Sequence, residues 1–300
     1  MFDSKKSVTA IGEILWDVYP DKKRLGGAPF NFIYHVFKLT GSGNFISSVG
    51  SDQFGKEIFS FLNTKGFPSQ YISRDKNHPT GTVQVTLDEN KIPHFIISPE
   101  CCYDFLELNG AAENLIDDKT DLLYFGTLSQ RSVTSRNTIQ SLFNKKIKYF
   151  CDLNLRHDFF TKEMIEAALH TSNVLKVNEH ELEKLKNLFG LKGDEKTAME
   201  QLYNDFDIEL MCVTSGENGA LLYNGKEFDH HKTEVDNIVD TVGAGDAFAA
   251  MLCIGCLNNY PLEIINKLAN DFAAEICKVS GAIPEDDSIY ERFRKLIQSI

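Results

Sequence analysis

Positive charge is scarce in these 300 residues: 31 Lys and Arg stand against 43 Asp and Glu, a formal net charge of -12. That balance argues against a surface built to neutralise a nucleic-acid backbone or an anionic membrane. It does not argue against a small phosphorylated ligand, which backbone N–H groups can hold on an acidic protein. Long apolar runs are lacking too. The run at residues 247–257 covers 11 residues, too few to cross a bilayer. The opening stretch MFDSKKSVTA has no apolar h-region, so no secretory signal is expected and the chain is read as cytoplasmic. The seven cysteines are odd in number and scattered, which excludes a disulfide framework. Cys253 and Cys256 form a C-x-x-C inside the apolar helical pattern AFAAMLCIGCL, with no second pair and no nearby His. They read as packed thiols rather than a metal or redox site. No internal repeat and no Pro-rich, Gly/Ser-rich or like-charge block marks a linker, so residues 1–300 are expected to form one main domain with a small appendage.

What is present is an alternation of short apolar runs and longer amphipathic stretches. Strands are expected at residues 8–15, 44–49, 122–125, 147–152, 174–177 and 210–214. Helices are expected between them at 29–39, 54–65, 132–143, 162–170 and 179–189, and again at 246–257 and 262–279. Such alternation predicts an α/β class with a mostly parallel sheet covered by helices on both faces. Residues 80–98, TGTVQVTLDENKIPHFIIS, break the rhythm: Val83, Val85 and Leu87 alternate with Thr82, Gln84 and Thr86, then the chain turns at Asp88 to Asn90. This is a hairpin. With a strand at 16–25 it either builds a small second sheet over one edge of the main domain or stands alone as a solvent-facing decoration.

The segment DTVGAGDAF, residues 240–248, precedes the long apolar helix. Gly243, Ala244 and Gly245 let a backbone approach a ligand closely, and the unpaired N–H groups of a helix start would face it. Asp246 would repel phosphate as a ligand, but it suits a base that takes a proton from an attacking hydroxyl while the amides stabilise the transferred group. On these residues alone, an aspartate merely favoured by the helix dipole is the simpler reading. No G-x-x-x-x-G-K-[ST] occurs, residues 243–248 fail G-x-G-x-x-G, and the H-R-D and D-F-G pair is missing. A P-loop enzyme, a dinucleotide oxidoreductase and a protein kinase lose their support.

DTVGAGDAF resembles the C-terminal signature of the ribokinase-like, phosphofructokinase-B type sugar kinases. LGGAPFNFIYHVFKLTGSGNFISSVGSDQFGKEI, residues 25–58, is similar to their N-terminal signature. DLNLR, VNEHE, VTSGENGA and SGAIPE extend the likeness over nearly the whole chain. The resemblance implies a ribokinase-like α/β fold with a small β-sheet lid formed by about 16–25 and 80–98. It further implies that Asp246 is the catalytic base beside an anion hole of Gly243, Ala244, Gly245 and the amide of Asp246 itself. Asn178 and Glu181 match an N-x-x-E motif holding magnesium and phosphates, Glu181 through water. Asp17, Gly27 and Asn31 match positions that bind the sugar, and Arg156 one near the transferred phosphate or the lid; an ion pair with Asp152 is the other reading of Arg156. Thr214, Gly216 and Gly219 match the ATP-ribose and phosphate loop, and Asn270 the adenine side. Asp240 and the carbonyl of Val242 match a monovalent-cation loop, taken to bind potassium, whose later positions fall on Ile276, Val279 and Glu285.

G-G-A-P-x-N with GEILWDVYP looks most like the fructokinase branch, with Ala28 where ribokinase-like chains often carry lysine. Phe30 departs from the small residue usual before Asn31 and either narrows the sugar pocket or fills helix packing. The resemblance implies an ATP-dependent kinase for a sugar hydroxyl, D-fructose first, with ribose, 2-keto-3-deoxygluconate, a nucleoside, a phosphosugar or an inactive sugar sensor as alternatives. If Val83, Val85 and Leu87 form an apolar lid face turned away from the ligand, a homodimer through the lid is expected.

Overall fold

The computed structural model describes residues 6–87 and 93–300. Its strands are β1 (Val8–Ile11), β2 (Leu15–Val18), β3 (Lys23–Gly26), β4 (Asn44–Gly50), β5 (Ile72–Asp75), β6 (Gly81–Leu87), β7 (Pro93–Ile97), β8 (Leu122–Phe125), β9 (Lys148–Asp152), β10 (Val174–Asn178), β11 (Leu210–Thr214), β12 (Ala220–Tyr223) and β13 (Phe228–His231). The helices are α1 (Ala28–Thr40), α2 (Gln53–Thr64), α3 (Gly110–Lys119), α4 (Val133–Gln140), α5 (Lys162–Thr171), α6 (Glu179–Phe189), α7 (Glu195–Asp205), α8 (Ala244–Leu257), α9 (Leu262–Ile276) and α10 (Ser288–Gln298).

Nine strands form the large sheet in the order β13-β12-β11-β10-β9-β8-β1-β4-β5. It is parallel from β5 through β11, and β12 and β13 close one edge antiparallel. The apolar runs are buried on both faces, so alternate side chains serve different cores. Leu122 and Tyr124 of β8 join Val8, Phe32, Phe248 and Phe272 on the side of α1, α2, α8, α9 and α10. Leu123 and Phe125 join Ile11, Ile139, Leu182 and Met199 on the side of α3 to α7. Phe32 stacks on Tyr124, ring centroids 3.8 Å apart, and its loss to alanine is expected to cost ~3–5 kcal/mol.

Two expected strands come apart. Residues 8–15 split at Gly12, which has φ 152° and where a Cβ would lie 2.6 Å from Pro29 Cγ. The chain thereby leaves the large sheet as β1 and enters a small one as β2. Residues 16–25 are not one strand but the hairpin of β2 and β3. The small sheet runs β3-β2-β6-β7, with β2 and β6 parallel, so the hairpin is part of a second sheet rather than a lone decoration. The turn expected at Asp88 to Asn90 lies outside the described residues. Three helices (α3, α7 and α10) and the strands β5, β12 and β13 are additions to the sequence reading.

The register corrects the argument made for a dimer. Asp17 pairs with Val83 and Val83 with Ile97, so the three share one face. Val83 and Val85 are 6% and 2% exposed and pack with Leu15, Cys101 and Tyr103. The apolar face of the hairpin is therefore the face that carries Asp17, not a second face left for a partner. Phe30 is fully buried, its ring 5.7 Å from Phe45 and 5.8 Å from Phe67, and it fills helix packing. Cys253 is buried in α8, and burial pushes both its thiol and that of Cys256 up, the latter to about 12. Among the described residues no helix is long and apolar enough to cross a membrane.

Candidate active site

Between β1 and β8 the sheet order changes direction, the place where the carboxyl ends of strands part and open a crevice. The chain beyond β1 and β8 supplies Glu13 and Leu128, and the last residues of β9, β10 and β11 supply Asp152, Asn178 and Thr214, to one cavity of about 560 Å³. The small sheet roofs it with Asp17, Tyr19, Val83, Phe95 and Ile97. The amino ends of α1 and α8 complete it.

Each helix start is shaped by glycine. Gly27 caps α1 at φ 106°, and a Cβ there would lie 2.4 Å from the carbonyl oxygen of Glu13. Gly243 caps α8 at φ 80°, and its Cβ would lie 2.3 Å from Ala282 Cβ. Only glycine fits both requirements. The turns bring Asn31 and Asp246 together: Asn31 Nδ2 donates to Asp246 Oδ2 at 2.8 Å. Asn31 Oδ1 is buried without a partner among the described residues, which makes it an acceptor suited to a ligand hydroxyl. Burial pushes the Asp246 carboxyl up to about 6, with the Asn31 hydrogen bond opposing the rise. The group is thus ionised at neutral pH and close enough to its midpoint to take a proton.

Around Asp246 the amides divide. Ala244 N donates to Thr241 O at 3.3 Å, which removes it from the expected anion hole. The N–H groups of Gly243, Gly245 and Asp246 have no partner among the described residues, and they remain for an anion. Behind them lies a buried pair: Lys176 Nζ donates to Asp152 Oδ1 and Oδ2 at 3.0 and 2.9 Å, and Tyr124 Oη to Asp152 Oδ2 at 3.2 Å. Burial pulls the Lys176 ammonium down, but Asp152 outweighs it and the group is held above its ordinary value. Asp152 therefore pairs with Lys176 and not with Arg156, which is exposed at the cavity mouth.

Glu181 sits 5% exposed at the start of α6. Its Oε2 accepts from Asn178 N at 2.9 Å, while Asn178 Oδ1 accepts from Glu181 N at 2.9 Å, a reciprocal cap. Its Oε1 accepts from Leu155 N at 2.8 Å, tying α6 to the loop after β9. Burial raises the Glu181 carboxyl. Burial likewise raises Glu13, which accepts from Ser129 Oγ, and raises Asp17 to about 6. Among the described residues no three His, Cys, Asp or Glu side chains converge as a cage for a metal ion.

Asp17, Gly27, Asn31, Arg156, Asn178, Glu181, Thr214, Val242, Gly243, Gly245 and Asp246 line the one cavity. Gly216 and Gly219 stand outside it in a turn, with φ 52° and 83°. Asn270 does not reach it either: its Nδ2 donates to Asn266 O and Oδ1, both 2.9 Å, inside a buried network of α9. Asp240 also lies outside the lining, ion-paired with Arg24. The sequence reading left Glu13, Lys176, Tyr19 and Phe95 unassigned. Lys176 left a signal, a lone charge in the buried run VLKVN; Phe95 left none.

Residues 7–288 match the model of the pfkB family of carbohydrate kinases. An ATP-dependent 6-phosphofructokinase of Thermoanaerobacterium thermosaccharolyticum is 29% identical over 96% of this chain and 94% of its own. A fructokinase of Salmonella typhimurium is 28% identical over 86% and 87%. Among solved structures, a double mutant of fructokinase from Vibrio cholerae O395 with fructose, ADP and potassium ion bound is 25% identical. It superposes with a TM-score of 0.77 over 96% of this chain and 98% of that one.

Proposed function

The chain belongs to the pfkB family of carbohydrate kinases, and from that premise we propose that it transfers the γ-phosphoryl group of ATP to a primary hydroxyl of an unphosphorylated ketohexose, D-fructose first. The observation that carries the reading is the Asn31–Asp246 contact at the floor of the cavity, under a roof that carries Asp17. A carboxylate and an amide can satisfy several vicinal hydroxyls of one sugar. The 6-phosphofructokinase relative raises a phosphorylated sugar as the rival. Among the described residues the roof offers Asp17, Tyr19, Val83, Phe95 and Ile97 but no Lys or Arg to a second phosphate, which favours the neutral sugar.

In this reading the acceptor hydroxyl lies against Asp246, which orients it and takes its proton as the oxygen attacks phosphorus in line. The amides of Gly243, Gly245 and Asp246 stabilise the charge on the transferred group. Asp17 and Asn31 hold the sugar, and Arg156 at the mouth faces the phosphates. Thr214 borders the nucleotide side. Asn178, Glu181 and Asp152 fit magnesium held mainly through water, because their oxygens are already engaged by backbone amides or Lys176 and form no dry cage. When bound, magnesium would neutralise the phosphate oxygens. Closing the small sheet over the sugar would exclude water and limit ATP hydrolysis.

The test is a coupled ADP-release assay with magnesium across fructose, ribose, 2-keto-3-deoxygluconate, adenosine and fructose 6-phosphate. Release selective for fructose is the expected result. Selective release with fructose 6-phosphate overturns the neutral-sugar reading, and no release with any of them favours a sugar sensor on the same fold.

A further inference from the structure

The potassium expected at Asp240 meets a seat already filled by protein. Asp240 Oδ1 accepts from Val242 N at 3.1 Å, and Oδ2 accepts from Gly281 N at 3.1 Å and from the guanidinium of Arg24. The other arm of that guanidinium donates to Ser280 Oγ. The ion pair is largely shielded, with 21% and 17% of the two side chains exposed. The seat is shaped for an arginine. Gly281 adopts φ 82°, and a Cβ on it would lie 3.2 Å from Arg24 Cδ, so the bare glycine lets the arginine lie across the loop. Tyr19 covers the other side, its ring centroid 5.6 Å from Arg24 Cζ.

Two of the three later positions of the expected cation loop are engaged as well. The carbonyl of Ile276 accepts from Val279 N at 3.2 Å. That of Glu285 accepts from Lys65 Nζ at 3.1 Å, placing a second side-chain cation on the same loop. A potassium ion on the Asp240 carboxylate would sit within a few ångströms of a fixed guanidinium, and like charges at that range repel. The donor set thus does not fit the ion.

We infer that Arg24 is a built-in substitute for the monovalent cation: it neutralises Asp240 and holds residues 240–243 in place to present the anion-binding amides. The linkage is direct, because Asp240 fixes Val242 and Gly243 packs on Ala282 beside Gly281. Arg24 stands on β3, in register with Asp17 of β2, so the neutralising charge is carried by the sheet that roofs the sugar. Arg24 is a positioning residue, not a catalytic one. The inference rests on the kinase reading only for its activity arm.

The experiment compares potassium chloride with tetramethylammonium chloride at equal ionic strength, on the wild type and on Arg24→Ala, reading thermal midpoint and sugar-dependent ADP release. The wild type is expected to show no potassium-specific rise in midpoint and turnover equal within about twofold in the two salts. Arg24→Ala is expected to lose at least about tenfold in turnover in tetramethylammonium and to gain a potassium-specific rise in midpoint of a few degrees, as an ion takes the vacated carboxylate. A wild type that is stabilised by potassium, or that loses tenfold without it, overturns the inference. So does an Arg24→Ala protein whose midpoint ignores potassium. Absence of ADP release with every sugar would defeat the kinase reading but leave the midpoint comparison deciding the role of Arg24.

Discussion

Replacing Asp246 by asparagine should make the protein much slower and, at the same time, more stable. The neutral amide keeps an oxygen for Asn31 Nδ2, so the 2.8 Å contact survives. What disappears is the cost of an ionised carboxylate in a half-buried site, where burial raises the group from 3.8 to about 6. A rise of about two units corresponds to about 3 kcal/mol, and opening to the cavity reduces this to ~1–3 kcal/mol. For a chain of this size that is ~2–6 °C in melting midpoint. The sign follows from the raised value. The protonated folded form is favoured at low pH, and that stability is lost as pH rises from about 4 through about 6. The gain from asparagine should therefore be largest near pH 8 and about half as large near pH 5. Urea unfolding of both proteins at the two pH values reads it, alongside turnover, which should fall at least about a hundredfold. A variant that keeps its turnover refutes the base assignment. One that is less stable than the wild type at pH 8, or whose gain ignores pH, refutes the electrostatic reasoning.

Asp17→Asn should raise the KM for sugar about tenfold or more with a smaller effect on kcat, the loss of hydrogen bonds to a charged acceptor. Because burial holds Asp17 at about 6, the wild-type KM should climb as pH falls below that value, and the climb should vanish in the variant. Lys176→Met leaves Asp152 buried and unpaired, so chemical denaturation should report a loss of ~3–5 kcal/mol, largely recovered on adding Asp152→Leu. Phe95 is 45% exposed on the roof. Phe95→Ala should raise ADP release in the absence of sugar and weaken sugar binding severalfold, with unfolding midpoint nearly unchanged.

Much of the site could be read before the fold because its groups sit in local patterns. A helix start announced by G-A-G-D and another by G-G-A-P-x-N each fix a side chain within one turn, so Asp246 and Asn31 were legible. Their hydrogen bond was not, since α1 and α8 are more than two hundred residues apart in sequence. The Lys176–Asp152 pair was equally hidden: Asp152 ends β9 while Lys176 lies in the middle of β10, and only the parallel register of the two strands sets them side by side. Period two in residues 82–87 told which side chains share a face but not what covers it, and Val83 and Val85 proved to look inward. The break at Gly12 was concealed because a chain passing from one sheet to another stays buried throughout: all of residues 8–15 are buried, Thr9, Gly12 and Glu13 included, so the mostly apolar run read as one strand. Asn270 presents the opposite case: a polar residue on a helix can serve a ligand or a neighbouring asparagine, spacing does not distinguish them, and the structure bonds it to Asn266.

The central claim is that this cavity moves a phosphoryl group to a sugar with Asp246 as the base. Phosphorus NMR of wild type and Asp246→Asn with ATP, magnesium and fructose tests it most directly. The account predicts a sugar phosphomonoester resonance growing in step with ADP in the wild type and no measurable growth over the same time in the variant. Inorganic phosphate as the sole product in the wild type, or an equal rate of sugar ester in both proteins, would contradict it.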